Sequence, residues 1–202
     1  MSAQIVLFDL GNVVVDWQPL HLYKQIFETA SEAEWFCDNV CTLAWHTEHD
    51  RGVSMAENAK PLIAQYPQYE TQIRAWETRW FDMFNGYIPG MPALMAQLEE
   101  RQVPLYGLTN MPADLAPAIF DRFPMMKILR DIVVSAVEKV VKPDPRIYQI
   151  VLERMGNPDP GSVLFIDDSE KNVLAARDMG LQAHHFTGAI GLERVLQEQG
   201  LL

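Results

Sequence analysis

Two stretches decide the reading of this chain: Ile5-Val6-Leu7-Phe8-Asp9-Leu10-Gly11-Asn12-Val13 near its start, and Val163-Leu164-Phe165-Ile166-Asp167-Asp168-Ser169 near its end. Each is an apolar run that delivers aspartate into a turn. Near-continuous apolar runs of this length are what strands buried on both faces look like. Carboxylates at the carboxyl ends of parallel strands stand where ligands bind in an open α/β sheet. Three such groups brought together repel one another unless a cation or shared protons neutralise them. Magnesium suits the task, since it takes hard oxygen ligands and keeps room for phosphate oxygens. The pattern therefore predicts an enzyme with Mg2+ held by carboxylates.

Outward from these runs, further strands are predicted over Val103–Asn110, Ile132–Ser135 and Ala183–Phe186. Pro104 fits the first position of its strand, where a missing N–H costs little. Helical segments alternate with them at Pro92–Gln102, Ala113–Phe123, Pro145–Met155 and Lys171–Met179. Such alternation implies a Rossmann-like α/β core: a mostly parallel sheet with helices on both faces. From Asp16 to about Tyr87 the character changes to Trp, Phe, Glu and Gln at helical spacing, with no convincing strand. The expected organisation is a core formed by 1–15 and 88–202, with an inserted α-helical cap of four or so helices over 16–87. Pro19, Pro61 and Pro67 punctuate that cap, and hinges are expected at Asp16–Trp17 and Tyr87–Gly90.

Bulk composition narrows the function. The 202 residues are 49% hydrophobic, enough for one packed domain with an insertion, and carry a net charge of −11. With no lysine- or arginine-rich block, a nucleic-acid partner is not expected. No long apolar run suggests a membrane span, and the first strand starts too early to leave space for a signal peptide, so the expected location is cytoplasmic. Cys37 and Cys41 are expected to be free thiols.

The residue types at the predicted strand ends suit phosphoryl transfer. Asp9 can attack phosphorus and split one displacement into two through an aspartyl-phosphate. Thr109 offers a hydroxyl, with Asn110 beside it, and Lys142 a positive charge for both phosphate and nucleophile. Asp167 and Asp168 would complete the metal site with Asp9. Taken singly, each aspartate or threonine could merely cap a helix or turn. Lys142, ahead of Pro143-Asp144-Pro145, has no capping task and separates the two readings.

In this order the pieces FDLGNV (8–13), GLTN (107–110), VKPDPRIY (141–148) and FIDDSEKNVLAA (165–176) resemble the four motifs of the haloacid dehalogenase (HAD) superfamily. The resemblance covers the whole chain and implies a Rossmann-like sheet with a helical C1 cap. It implies that Asp9 is nucleophile and metal ligand, that Thr109 binds phosphate, and that Lys142 is the stabilising lysine. Asp168 would bind the metal directly, Asp167 through a water, and the Gly11 carbonyl would add a further ligand. One departure stands out. Most phosphatases of the superfamily carry a general-acid aspartate where this chain has Gly11. Losing such an acid costs about 10²- to 10⁴-fold in rate, least for a good leaving group. The DLGN string also resembles the subgroup containing α-D-glucose-1-phosphate phosphatase, and a sugar 1-phosphate would suit the missing acid.

Replacement proton donors could come from Asp16, His46, Glu48 or His49. The segment from Ala44 to Gly52 reads either as a solvated helix end or as a cap loop whose His46 or Arg51 meets the substrate. Trp35, Trp76 and Trp80 are expected in the cap core, Met125 and Met126 as core filling, and His184 and His185 at a surface or edge. Two other functions compete. A haloacid dehalogenase would use the same aspartate against carbon, without the late carboxylate pair. A binding or regulatory domain would keep the fold without the chemistry, and Gly11 motivates that reading.

Overall fold

Side-chain alternation along the central strands sets the architecture. On β1 (Ile5–Phe8), Val6 and Phe8 enter one apolar cluster while Leu7 enters another. Val163 and Phe165 are likewise separated from Leu164 and Ile166. A strand that feeds two cores must be covered on both faces. The computed structural model, which describes residues 2–202, shows that arrangement.

The remaining strands are β2 (Val15–Trp17), β3 (Phe84–Tyr87), β4 (Leu105–Thr109), β5 (Ile132–Val134), β6 (Val163–Asp167) and β7 (Gln182–His185). Five of them form a parallel sheet in the order β5-β4-β1-β6-β7. The chain leaves β1 for β4 and β5, then returns to the other side of β1 for β6 and β7. The direction of winding thus reverses beside β1, which opens a crevice at the strand carboxyl ends. Helices Met91–Glu100 and Ala189–Glu198 cover one face through Met91, Leu94, Leu98, Leu192 and Leu196. Helices Pro145–Arg154 and Glu170–Asp178 cover the other through Ile147, Tyr148, Val151 and Ala176. The α/β core is as expected from sequence, with the C-terminal helix added.

Five α-helices, Pro19–Tyr23, Ala30–Asn39, Leu43–Asp50, Met55–Gln65 and Glu70–Thr78, build the insertion. Their starts are chemically marked. Thr29 and Glu32 form a reciprocal capping box, while Thr42 and Ser54 accept the backbone N–H groups of Trp45 and Glu57. These helices enclose an apolar cluster of their own, centred on Tyr23, Phe36 and Trp76. Tyr23 and Phe36 are 4.7 Å apart, ring to ring.

Several sequence expectations need correction here. Trp76 and Trp80 are buried, but Trp35 is 48% exposed, because it lies on the outward face of its helix. Pro61 stands inside the helix Met55–Gln65 instead of ending it. The insertion is not strand-free at its borders: β2 and β3 pair antiparallel, Val15 with Tyr87 and Trp17 with Phe84. The two segments expected as hinges are therefore stitched into one ribbon, extended by hydrogen bonds from Gln18 N–H to Met83 O (2.9 Å) and from Ile88 N–H to Val14 O (3.0 Å). Met126 is in the core and Met125 packs on its margin. His184 and His185 lie on β7, at the sheet edge. Cys37 and Cys41 are free, and burial raises both thiols, to about 11 and about 12. No helix among the described residues is long and apolar enough to cross a membrane.

Candidate active site

Backbone register brings the acidic groups together. Asp9 N–H donates to Ile166 O at 2.8 Å, carrying the β1–β6 ladder one residue past the strand and aligning Asp9 with the end of β6. Asp167 is the last residue of β6, and Asp168 follows it at the exposed rim. One carboxylate oxygen from each of Asp9, Asp167 and Asp168 falls in a group whose members are all within 4.8 Å of one another.

Lys142 enters this group from the loop after β5 and is only 3% exposed. Its Nζ donates to Asp167 Oδ2 at 2.7 Å, to Leu108 O at 3.0 Å and to Asp9 Oδ1 at 2.9 Å. All three ammonium hydrogens are thereby used, which is the condition for burying such a charge. Burial alone would lower the lysine, but Asp167 and Asp9 outweigh it, and the ammonium is held above its ordinary value. Asp9 is raised well above the usual carboxylate range: burial is the main cause, and Asp167 and Asp168 reinforce it against the pull of Lys142. Asp168 is raised too, by burial and then by Asp167. Three carboxylates facing one ammonium leave the cluster two charges negative when all are ionised, a donor set of hard oxygens that fits a divalent cation such as Mg2+.

The oxygens of Asp167 are already engaged. Oδ1 accepts from Ser169 N–H at 2.8 Å, and Asn172 Nδ2 lies 3.0 and 3.1 Å from the two oxygens. Asn172 sits in the first turn of the helix after β6, and sequence reasoning passed over it, although it lies inside the FIDDSEKN string. Asn110, expected beside the substrate, instead clamps the lysine loop. Its Oδ1 accepts from Lys142 N–H at 2.8 Å, and its Nδ2 donates to Lys142 O at 3.2 Å. Thr109 ends β4 and is buried.

An open cleft lies next to the strand ends that carry the cluster. Gly11, Thr109 and Asn110 line it from the core, His46 and Trp80 from the cap, and Trp17 and Phe84 from the ribbon. Arg51 is not on its wall; the side chain is half exposed and pairs with Glu48. Asp16 is also turned elsewhere, to His21 Nε2 and Asn85 Nδ2, each at 3.1 Å.

The segment from Ala44 to Gly52 is a helix end with a glycine stop at Gly52, one of the two readings expected, and Arg51 and Gly52 are exposed, but the turns before them are not solvated. His46, His49 and Asp50 are buried within the helix Leu43–Asp50. His46 Nε2 lies 3.3 Å from Asp50 Oδ1, and its Nδ1 lies 3.1 Å from His49 Nδ1. Burial lowers His46 to about 3 and His49 to about 4, and burial raises Asp50 to about 7 against Lys142 and Arg51. Below neutrality this is consequently a neutral cluster, as a low-dielectric setting favours. Ser135 ties it to the core: its Oγ donates to Asp50 O at 2.7 Å and accepts Met111 N–H at 3.0 Å. Nothing local in the sequence marked Ser135.

Comparison with known proteins follows the same lines. A family model described as haloacid dehalogenase-like hydrolase matches residues 3–180. A phosphorylated carbohydrates phosphatase of Thermotoga maritima is 23% identical over 181 residues, 89% of this chain and 82% of that protein. A sesquiterpene phosphatase of Aspergillus oryzae is 29% identical over 193 residues, 94% of this chain and 92% of that protein. Among solved structures, a HAD family enzyme of Bacteroides thetaiotaomicron superposes with a TM-score of 0.70 at 23% identity, covering 93% of this chain and 95% of that one. That enzyme has also been solved with magnesium and inorganic phosphate; the likeness to it concerns the fold.

Two outcomes are expected. Lys142→Met leaves Asp9 and Asp167 without their cation, and should lower the stability of the metal-free protein by about 3–5 kcal/mol in urea unfolding at pH 7; an unchanged midpoint would contradict the buried triad. The imidazoles of His46 and His49 should stay neutral down to pH 5 when followed by NMR. Unfolded imidazoles take up protons near pH 6.5 and these do not until about 3 to 4, so the stability they contribute is complete above 6.5 and erodes on acidification. Midpoints near 6.5 for both would refute this.

Proposed function

This chain belongs to the haloacid dehalogenase-like hydrolase family, and on that premise we propose that it is a magnesium-dependent phosphatase acting on a small phosphorylated metabolite through an aspartyl-phosphate on Asp9. The observation that carries this reading is the 2.9 Å contact between Lys142 Nζ and Asp9 Oδ1 inside a three-carboxylate cluster.

Asp9 Oδ1 is held by Lys142 and by the Leu10 N–H at 2.7 Å. Its other oxygen is then the one that meets phosphorus. As the Asp9–phosphorus bond forms, the ester P–O bond breaks and the leaving oxygen departs with its electron pair. Water then attacks phosphorus, releasing inorganic phosphate and restoring the Asp9 carboxylate. The Thr109 hydroxyl donates to the transferring group, and Lys142 balances the negative charge that accumulates there. Asp9 and Asp168 would hold Mg2+ directly, with the Gly11 carbonyl as a further ligand. Asp167, whose oxygens serve Lys142, Asn172 and Ser169, would reach it through water. When bound, the ion supplies charge neutralisation between the carboxylates and the incoming phosphate dianion.

Attack on carbon, as in a dehalogenase, has no use for a second and third carboxylate beside Asp9, and the cluster favours phosphate. The names of the relatives point the same way, since a phosphorylated carbohydrate and a sesquiterpene phosphate share only the phosphoryl group. Gly11 leaves no acid at the leaving oxygen, so the ester should be one whose alcohol departs readily as an anion. An anomeric sugar oxygen meets that requirement, as does any comparably acidic alcohol.

Turnover of p-nitrophenyl phosphate should need Mg2+, cease with a chelator and fall to background in Asp9→Asn; activity that survives the Asp9→Asn change would overturn the mechanism. A Cβ added at Gly11 meets nothing within 4 Å. Gly11→Asp should therefore fold and raise kcat on simple alkyl phosphates by about 10²-fold or more, with little gain on p-nitrophenyl phosphate. Equal gains on both would argue against a missing acid.

A further inference from the structure

Resting on the phosphatase reading above, we propose that Ser135 is a positioning residue of this site: its hydroxyl couples the seat of the cap to the turn that carries Thr109 and clamps Lys142. Ser135 is fully buried at the start of the short helix Ser135–Glu138, directly after β5. Its Oγ donates to Asp50 O at 2.7 Å and accepts from Met111 N–H at 3.0 Å. Asp50 ends a cap helix, so its carbonyl is among those with no donor inside the helix. Met111 is the second residue after Thr109, past the end of β4.

From Met111 the path to the reacting groups is short. Asn110 stands between Met111 and Thr109, and it holds Lys142 through both of that residue's backbone groups. Lys142 Nζ in turn meets Asp9 and Asp167. One hydroxyl therefore joins the end of a cap helix to the turn on which Thr109 and the lysine loop depend. The seam beside it leaves little freedom. Gly52, at φ +96°, lies so near the core that a Cβ there would meet Ala136 O at 3.0 Å, and Ala136 is the neighbour of Ser135. Without the hydroxyl, a buried N–H and a buried C=O both lose their partner, which costs more than the bonds themselves contribute. Either the cap or the turn must then shift. A displacement of about 1 Å at a reacting group is enough to lower turnover substantially.

Acetyl phosphate separates this role from mere closure of the cap, because its leaving group is too small to depend on cap contacts. With Mg2+ present, Ser135→Ala should lower kcat for acetyl phosphate about tenfold or more, with the loss in kcat and not in KM. Ile73→Val removes a methyl group from the cap core and should keep the wild-type kcat, which accounts for lost stability alone. Gly52→Ala disturbs the same seam without altering Ser135 or any group of the site, and should reproduce the fall in kcat. Wild-type kcat in folded Ser135→Ala, or in folded Gly52→Ala where the serine variant does not fold, would overturn the positioning role and leave the phosphatase reading intact. An effect confined to KM, or an equal fall in Ile73→Val, would overturn it too. No magnesium-dependent turnover of acetyl phosphate by the wild-type chain would overturn the phosphatase reading itself, and this inference with it.

Discussion

One buried ammonium organises the carboxyl end of the sheet in this molecule. Lys142 donates to the Leu108 carbonyl on β4, to Asp9 beyond β1 and to Asp167 on β6. A charge removed from water is tolerated only with full pairing, and removing a partner is far costlier than never having built the pair. The three strands that meet Lys142 are the three central ones of the sheet, so satisfying the lysine and closing the sheet are the same requirement. The asparagine that clamps the lysine backbone, Asn110, comes from the turn after β4, which ties the loop to the strand end it serves.

What the lysine cannot do is neutralise the whole site. With Asp168 at the rim, negative charge remains in excess, and Asp9 is held well above its usual range by burial in the absence of an added cation. The site is thus built around a deficit that a divalent ion would fill. From the cap, Asp50 faces that balance, held at about 7 by burial against the pull of Lys142. Its helix Leu43–Asp50 brings a neutral histidine cluster and, through Ser135, a hydrogen bond to the core, and the cavity lies along that seam. On the proposed reading, chemistry comes from the strand ends, while the cap and the ribbon form the far wall of the cleft.

Much of this was legible in the sequence, for physical reasons that differ by residue. The strand of residues 5–8 could be read because burial on both faces erases polar positions. Asp9, Thr109 and Asp167 could be read because strand ends are marked by the change from apolar run to turn. Asn172 and Ser135 could not: their roles depend on which oxygen a distant segment presents, and no local pattern encodes that. The β2–β3 ribbon was missed because three or four residues are too few to show a period. Trp35 and Trp76 look alike in composition, and only helix phase decides that one is outside and the other inside. His46 and Arg51 were five residues apart in one candidate loop, yet helical geometry sends one to the cavity and the other to solvent.

The account stands on the claim that residues from separate strand ends form one site for a divalent ion beside Lys142. Manganese titration followed by electron paramagnetic resonance tests it directly. One bound ion per chain, displaced by Mg2+ and lost in both Asp9→Asn and Asp168→Asn, is the predicted result. Binding that is unaffected by either substitution, or no binding to the wild-type chain at millimolar metal, would contradict it.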